Sequence, residues 1–507
     1  MNLFQAFQAG RIILLLGLAG IFLFLALGRP LSRRTRTLVF VVLGGALLSY
    51  PNFGFFHVYQ YGAIHYWDAY HYFIGAKYLP ELGYFKLYEA TYVAGRELGA
   101  FADITYVRDL PTYRGRWVSS IDAQAVRGRF SGDRWEMFKR DLAFLQPRVP
   151  KWPAFFLDHG YNDPPPRAFL LHLLVRWVPA NRLTLGVLTS LDYLLMVVAF
   201  GFVWRAFGKI PAVLTCAFLA LSFFGRFDFI GGSILRWDWM AALLVGGAAF
   251  ARGFGSAAGI LFAYAILARI FPALFLVPLT IKWLQGRRAG TVDRTLTHCL
   301  VWAIGAVLAV TLGLAVAGFR LPVIPEYIAR IHVHNQSTST NRVGLGPFLI
   351  SSSALWTVNA DGIASLDEAT VPAARPAPYL LPMVSALYLL GVLPLILRAR
   401  PLESVIYAVP LIYCALSLAS YYYAFLALLV LLPWEGGRTD SIRLIEAVLL
   451  SVITAVSYAF EIVSPDFLPL FYKVSIQMGL FFLVWLAFEY ARLRSPAGSI
   501  EVGGPLC

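Results

Sequence analysis

Asp68 lies in the run Tyr66-Trp67-Asp68-Ala69-Tyr70-His71-Tyr72, just beyond a long apolar stretch. At helical spacing Asp68, His71 and Tyr72 share one face. A carboxylate held there can take the proton of an attacking hydroxyl. The same residue type also caps helix N-termini, and the run alone leaves both readings open.

Four further clusters carry polar chemistry beside apolar sequence. Gly160-Tyr161-Asn162-Asp163-Pro164-Pro165-Pro166 ends a loop and opens a short helix, because proline suits a first helical turn. Asp163 is there either a second acidic site residue or a partner of Arg167. The run from Phe229 to Trp239 holds Arg236 and Asp238, which need partners so close to apolar sequence: each other, or a site. Ile331 to Gly346 is rich in donors: it is either a plain solvated loop or a segment whose backbone N–H groups, His334 and Arg342 suit a phosphate. His332-x-His334 is a weak metal signal without a third ligand, and no metal site is assigned. Arg269, in Ala268-Arg269-Ile270-Phe271-Pro272, is flanked by apolar residues and needs an anion, a watery cavity or an internal partner such as Asp192 or Asp238.

The elements that must position these residues are membrane helices. Of 507 residues, 59% are hydrophobic and 14% charged, with mean hydropathy +0.67; soluble domains carry about 25% charged residues. The fold class expected is an all-α polytopic membrane protein. Spans are read near 11–28, 37–54, 183–204, 210–225, 234–250, 296–317, 379–397, 403–419, 421–434, 444–463 and 468–491. Shorter apolar stretches at 168–179, 256–268 and 270–283 read as half-helices or re-entrant elements, since a full span takes about 20 residues; the total is roughly 11–13 passes. Residues 11–28 lack a basic leader and a cleavage site and read as a retained helix.

The net charge of +14 sits in arginine clusters beside these spans. It reads as topology signal and lipid contact, not as a nucleic-acid surface. With Arg33/Arg34/Arg36, Arg205/Lys209, Arg287/Arg288/Arg294, Arg398/Arg400, Arg438/Arg443 and Arg492/Arg494 inside, the N-terminus lies outside and the C-terminus inside. This requires 256–283 to run out and back and 168–179 not to cross. The expected organisation is two helices in 1–54, an outer segment 55–166 with surface helices such as the one around Trp135–Leu142, a bundle over 167–494 with a second outer loop at 318–378, and a tail 495–507. Cys216, Cys299, Cys414 and Cys507 are scattered and form no disulfide framework.

In order along the chain these pieces resemble the GT-C superfamily of polyprenyl-phosphate-sugar glycosyltransferases, and most of all glycosyltransferase family 87. Asp68 through Gly75-Ala76, Gly83 and Leu87-Tyr88 match an aspartate that opens the first outer loop. Tyr161-Asn162-Asp163-Pro164-Pro165 matches a Tyr-x-Tyr-Pro-Pro-like helix start, Gly232-Ser233 a Gly-Gln-type turn, and Ala258-Gly259…Arg269-Ile270-Phe271-Pro272 a hairpin that usually carries lysine. Residues 334–342 match a polar outer loop, and Tyr421-Tyr422-Tyr423 a late tyrosine-rich start. The segment between Tyr88 and Tyr161 is longer than the pattern, an extra helix precedes it, and Arg236-Trp237-Asp238-Trp239 departs from it.

The resemblance implies a GT-C-like bundle and an inverting transfer of mannose or another hexose or pentose from a polyprenyl-phosphate carrier to a lipid, glycan or protein. Asp68 would be the base. Arg269, His334 and Arg342 would hold the donor phosphate. His71, Asn162, Asp163, Arg236, Asp238, Asn335 and Tyr422 would bind acceptor or sugar. No cofactor is required, and a divalent cation stays open. The expected location is a bacterial inner membrane, with the site facing outward among membrane lipids. A transporter or flippase, a polyprenyl-diphosphate ligase and a non-catalytic GT-C-like assembly protein are the rivals.

Overall fold

The computed structural model describes residues 2–29, 32–57, 62–316, 323–336, 341–349, 379–435, 439–463 and 467–494, with the side chains of 335, 336 and 467–469 excepted. The tail 495–507 and most of 318–378 lie outside the described residues. The chain is mostly helical. Among the described residues six helices are long and apolar enough to cross a membrane: Leu3–Ala26, Arg182–Phe207, Arg294–Val316, Leu380–Arg398, Ser441–Val463 and Leu470–Arg494.

The remaining apolar segments are shorter than the sequence suggests. Lys209–Leu221 and Asp238–Ala251 stop at 13 and 14 residues. At 1.5 Å per residue each reaches roughly 20 Å, less than a bilayer core of about 30 Å. Between them the chain leaves the helix at Ser222, makes one turn at Phe227–Ile230, and resumes only at Asp238. Glycines 225, 231 and 232 favour this break. Buried Asp192 secures its far end by accepting the N–H groups of Arg236 at 2.7 Å and Trp237 at 3.0 Å. The irregular stretch is what brings Arg236 to the site.

The expected hairpin at 256–283 is present as Gly255–Arg269, a tight turn at Phe271–Phe275, and Leu276–Arg288. Gly255 and Gly259, four apart, face Arg294–Val316. A Cβ on either would collide with the backbone of Thr295 or Cys299. This small-residue contact lets two helices approach closely and sets the position of Arg269 at the end of the first. Pro272 lacks an N–H and cannot continue that helix.

Side chains gather in two apolar cores. One fills the helix bundle. The other is built from residues 69–188 with Ile234, Leu235, Val323 and Tyr327, and it is dense in aromatics. Gly132–Leu145 belongs to this second core. It buries Trp135, Phe138, Leu142 and Leu145, and its buried Asp141 takes Lys77 Nζ at 2.6 Å and the Tyr78 hydroxyl at 2.8 Å. The helix therefore packs its apolar face on the protein, not on a membrane surface as its amphipathic pattern suggests. Both partners of an amphipathic face look alike in sequence.

Candidate active site: paired charges around Tyr421 and Tyr422

Asp68 sits on the single turn Tyr66–Ala69. The His65 ring accepts the Asp68 N–H at 3.1 Å, so the histidine caps this turn and the Asp68 carboxylate is left for other work. His65 N–H donates to Gly232 O at 2.9 Å, tying the turn to the irregular stretch that carries Arg236. Arg236 Nε lies 3.4 Å from Asp68 Oδ2, and neither that oxygen nor Arg236 Nη1 makes a hydrogen bond. The guanidinium stands over the rings of Tyr72, at 4.4 Å, and Tyr421, at 4.9 Å.

The chain continues as a π-helical turn, Tyr70–Ile74. Such turns rotate side chains away from α-helical register. The face shared by Asp68, His71 and Tyr72 is thus divided: the Tyr72 hydroxyl donates to Asn162 Oδ1 at 3.0 Å, while His71 Nε2 faces the Tyr88 hydroxyl at 2.9 Å.

A second group of charges is fully buried. Asp163 Oδ1 accepts Arg269 Nη1 at 2.7 Å, and its Oδ2 meets Arg167 Nη1. Arg167 Nε donates to Asp238 Oδ2 at 3.0 Å, and the Tyr264 hydroxyl donates to the same oxygen at 2.9 Å. Arg269 pairs with Asp163, not with Asp192 or Asp238, and Arg236 does not pair with Asp238. Spacing along the chain does not reveal these partners, because all of them come from other elements. Arg269 keeps Nε and Nη2 without a hydrogen bond, and its guanidinium is 5.9 Å from the Tyr422 ring. Tyr421 and Tyr422, 4.6 Å apart, connect the two groups; Asp68, Arg236 and Arg269 all lie within electrostatic reach of Tyr421.

His334 and Arg342 belong elsewhere. Tyr327, Arg330 and His334 share a face of the helix Val323–Gln336. The Tyr327 ring packs 5.4 Å from Tyr84, within electrostatic reach of Arg269 and Tyr422, and the face then runs to a basic group around Tyr113. The Tyr113 hydroxyl is 3.0 Å from His334 Nδ1. Its ring is 5.1 Å from His159 and 4.7 Å from the Arg330 guanidinium. Arg342 Nη2 donates to His334 O at 2.5 Å and its Nη1 to Ser417 O at 3.1 Å. Burial, with Arg342, His159 and Arg330 nearby, holds the His334 ring well below its usual range. Burial drives His159 down to about 3, with Arg108, Arg342 and Arg330 opposing its protonation against the pull of Asp158. Burial would raise the Asp158 carboxyl, but His71, His159 and the Trp67 N–H outweigh it and hold it low.

Of the expected site residues, Asp68, Asn162, Asp163, Arg236, Asp238, Arg269 and Tyr422 come together, while His71, His334 and Arg342 face the second, basic group. Asn335 lies in the last turn of its helix; its side chain and residues 337–340 fall outside the described residues. The sequence offers Arg167 only as a partner of Asp163, a pairing the structure shows, and Tyr421 only within a tyrosine-rich start; it does not single out Tyr264, Arg330, His159 or Tyr113. The i, i+4 pair Arg330 and His334 on one helix was the available signal. His332 is exposed and His334 is not, so the two do not converge on a metal. Among the described residues no group of three or more His, Cys, Asp or Glu is arranged to hold one. A scan against family models finds no match, and searches of curated proteins and of solved structures find none either.

Proposed function

We propose that this chain is an integral membrane glycosyltransferase of GT-C type. It would take a sugar from a polyprenyl monophosphate and deliver it, with inversion, to a hydroxyl of a lipid, glycan or protein on the outer face of a bacterial inner membrane. One observation carries the reading. A carboxylate with an open oxygen and two buried guanidiniums with open N–H groups meet around one tyrosine pair. Asp68 Oδ2 would take the acceptor proton as the acceptor oxygen attacks the anomeric carbon. The bond from that carbon to the phosphate oxygen breaks, and the bonding pair leaves with the phosphate. Arg269 Nε and Nη2, with Arg236 Nη1, would stabilise the charge that develops there; donors fixed in a water-poor site do this efficiently. Asp163, Asp238 and Arg167 would hold Arg269 in place, and Asn162 with Tyr72 would meet sugar or acceptor hydroxyls.

The test supplies purified protein in nanodiscs with radiolabelled polyprenyl-phosphate sugars and a membrane extract as acceptor. Label should move from the isoprenoid to a new product. A protein that leaves the donor intact but carries it between leaflets would be a flippase, and the transferase reading would fall.

A further inference from the structure

Arg330 is fully buried, and its Nε and Nη2 make no hydrogen bond. Among the described residues its one hydrogen bond is a long one, from Nη1 to Leu110 O at 3.4 Å. Arg108 lies beside it, 5.2 Å from the same Tyr113 ring, and Arg342 reaches the group through the backbone of His334. His159 Nδ1 is also buried without a partner. Among the described residues the carboxylate that faces this group is Asp158, and it is already engaged: Oδ2 accepts the Trp67 indole N–H at 2.6 Å and Oδ1 accepts His159 N–H at 2.7 Å. Arg330 is thus a buried guanidinium beside one carboxylate that is already occupied. An aromatic ring compensates a desolvated cation only in part, and a buried cation without an anion is costly.

The group also borders the proposed base. Asp68 turns to Arg236, while its neighbour Trp67 bonds Asp158. Basic groups therefore flank residues 67 and 68 on two sides. In an inverting transfer the phosphate leaves from the face opposite the attacking oxygen, so a single anion cannot use both.

We propose that Arg330, His159 and His334, around Tyr113, form a second anion site, and that it binds a phosphate or carboxylate group carried by the sugar acceptor. The assignment to the acceptor rests on Asp68 as base; the anion site itself does not. The acceptor is then an acidic molecule, and Arg330 selects it.

Thermal unfolding of the full chain in phosphatidylcholine nanodiscs tests the site without turnover. Inorganic phosphate should raise the unfolding midpoint of the wild type. Arg330→Gln should weaken that binding about 10- to 100-fold, the effect of losing one charged hydrogen-bond partner. Arg330→Lys should keep part of it, and Arg269→Gln should leave it in place. Adding phosphatidic acid to the nanodiscs separates the sources: stabilisation by this lipid alone marks a headgroup, and stabilisation by free phosphate marks a soluble or glycan-borne group. No stabilisation of the wild type by either phosphate or phosphatidic acid, equal stabilisation of wild type and Arg330→Gln, or a loss confined to Arg269→Gln overturns the site. If Arg330→Gln does not fold, the Arg269→Gln and Arg330→Lys arms still decide. Where transfer is observed, labelled product freed of donor by mild acid should bind an anion-exchange resin. Product in the flow-through would overturn the acceptor assignment while leaving the transferase reading intact.

Discussion

Arg236 Nε stands 3.4 Å from Asp68 Oδ2, and the two arrive by separate local devices. Asp68 is presented by a turn whose cap is His65, and Arg236 by a helix break anchored on Asp192. Neither device is a long helix, so the pair depends on how two irregular segments are held against each other. The bond from His65 N–H to Gly232 O links them through the backbone.

That link can be broken at one atom. Gly232 has φ +69°, and a Cβ there would collide with Ala63 O. Gly232→Ala should cost about 1–2 kcal/mol from the left-handed backbone alone, and more from the collision. Thermal unfolding should show the loss, and donor turnover should fall with it as residues 63–68 move. Wild-type stability and turnover would show that the contact is not what positions Asp68.

Asp163 is the buried anion between two cations. Asp163→Asn leaves Arg167 and Arg269 short of charge, and removing one partner of a buried pair costs about 3–5 kcal/mol. Asp163→Asn should unfold in detergent at markedly lower temperature than Asn162→Ala, whose hydrogen bond to Tyr72 is neutral. Equal midpoints would mean that the buried pair is not load-carrying.

Acid should destabilise the fold through its neutral histidines. His159 titrates at about 3 in the fold, against an ordinary 6.5, and His334 is likewise held low. Between those values the unfolded chain binds protons that the folded chain refuses, so stability falls as pH drops below about 6.5, by up to about 1.4 kcal/mol per pH unit for each ring. Asp158, whose carboxyl is held low, adds a loss of the same sign at still lower pH. Unfolding midpoints measured from pH 7 to pH 4 should fall, and less steeply for His159→Asn. A flat profile for the wild type contradicts the burial of these rings.

Much of the site is legible in sequence because charges next to apolar runs are rare and need partners. Asp68, Asp163, Arg236 and Arg269 stand out for that reason, as does the hairpin that turns at Arg269-Ile270-Phe271-Pro272. Pairing is not legible, since each ion pair of the site but Asp163–Arg167 joins distant elements. His334 and Arg269 group together in sequence because both suit phosphate; Tyr113, 3.0 Å from His334, comes from the turn between the paired strands Tyr106–Arg108 and Gly115–Trp117, which gives no sign of a site. The long reading of 210–225 and 234–250 failed because hydropathy does not register that Ser222 to Trp237 is held open by Asp192.

Asp68→Asn against wild type, on one polyprenyl-phosphate sugar donor and one acceptor extract, tests the central claim most directly. The substitution keeps the shape of the side chain and removes its ability to take a proton. Transfer should fall by about 10²–10⁴ while the variant still binds the donor. Equal transfer by the two proteins would contradict the role of Asp68 as base.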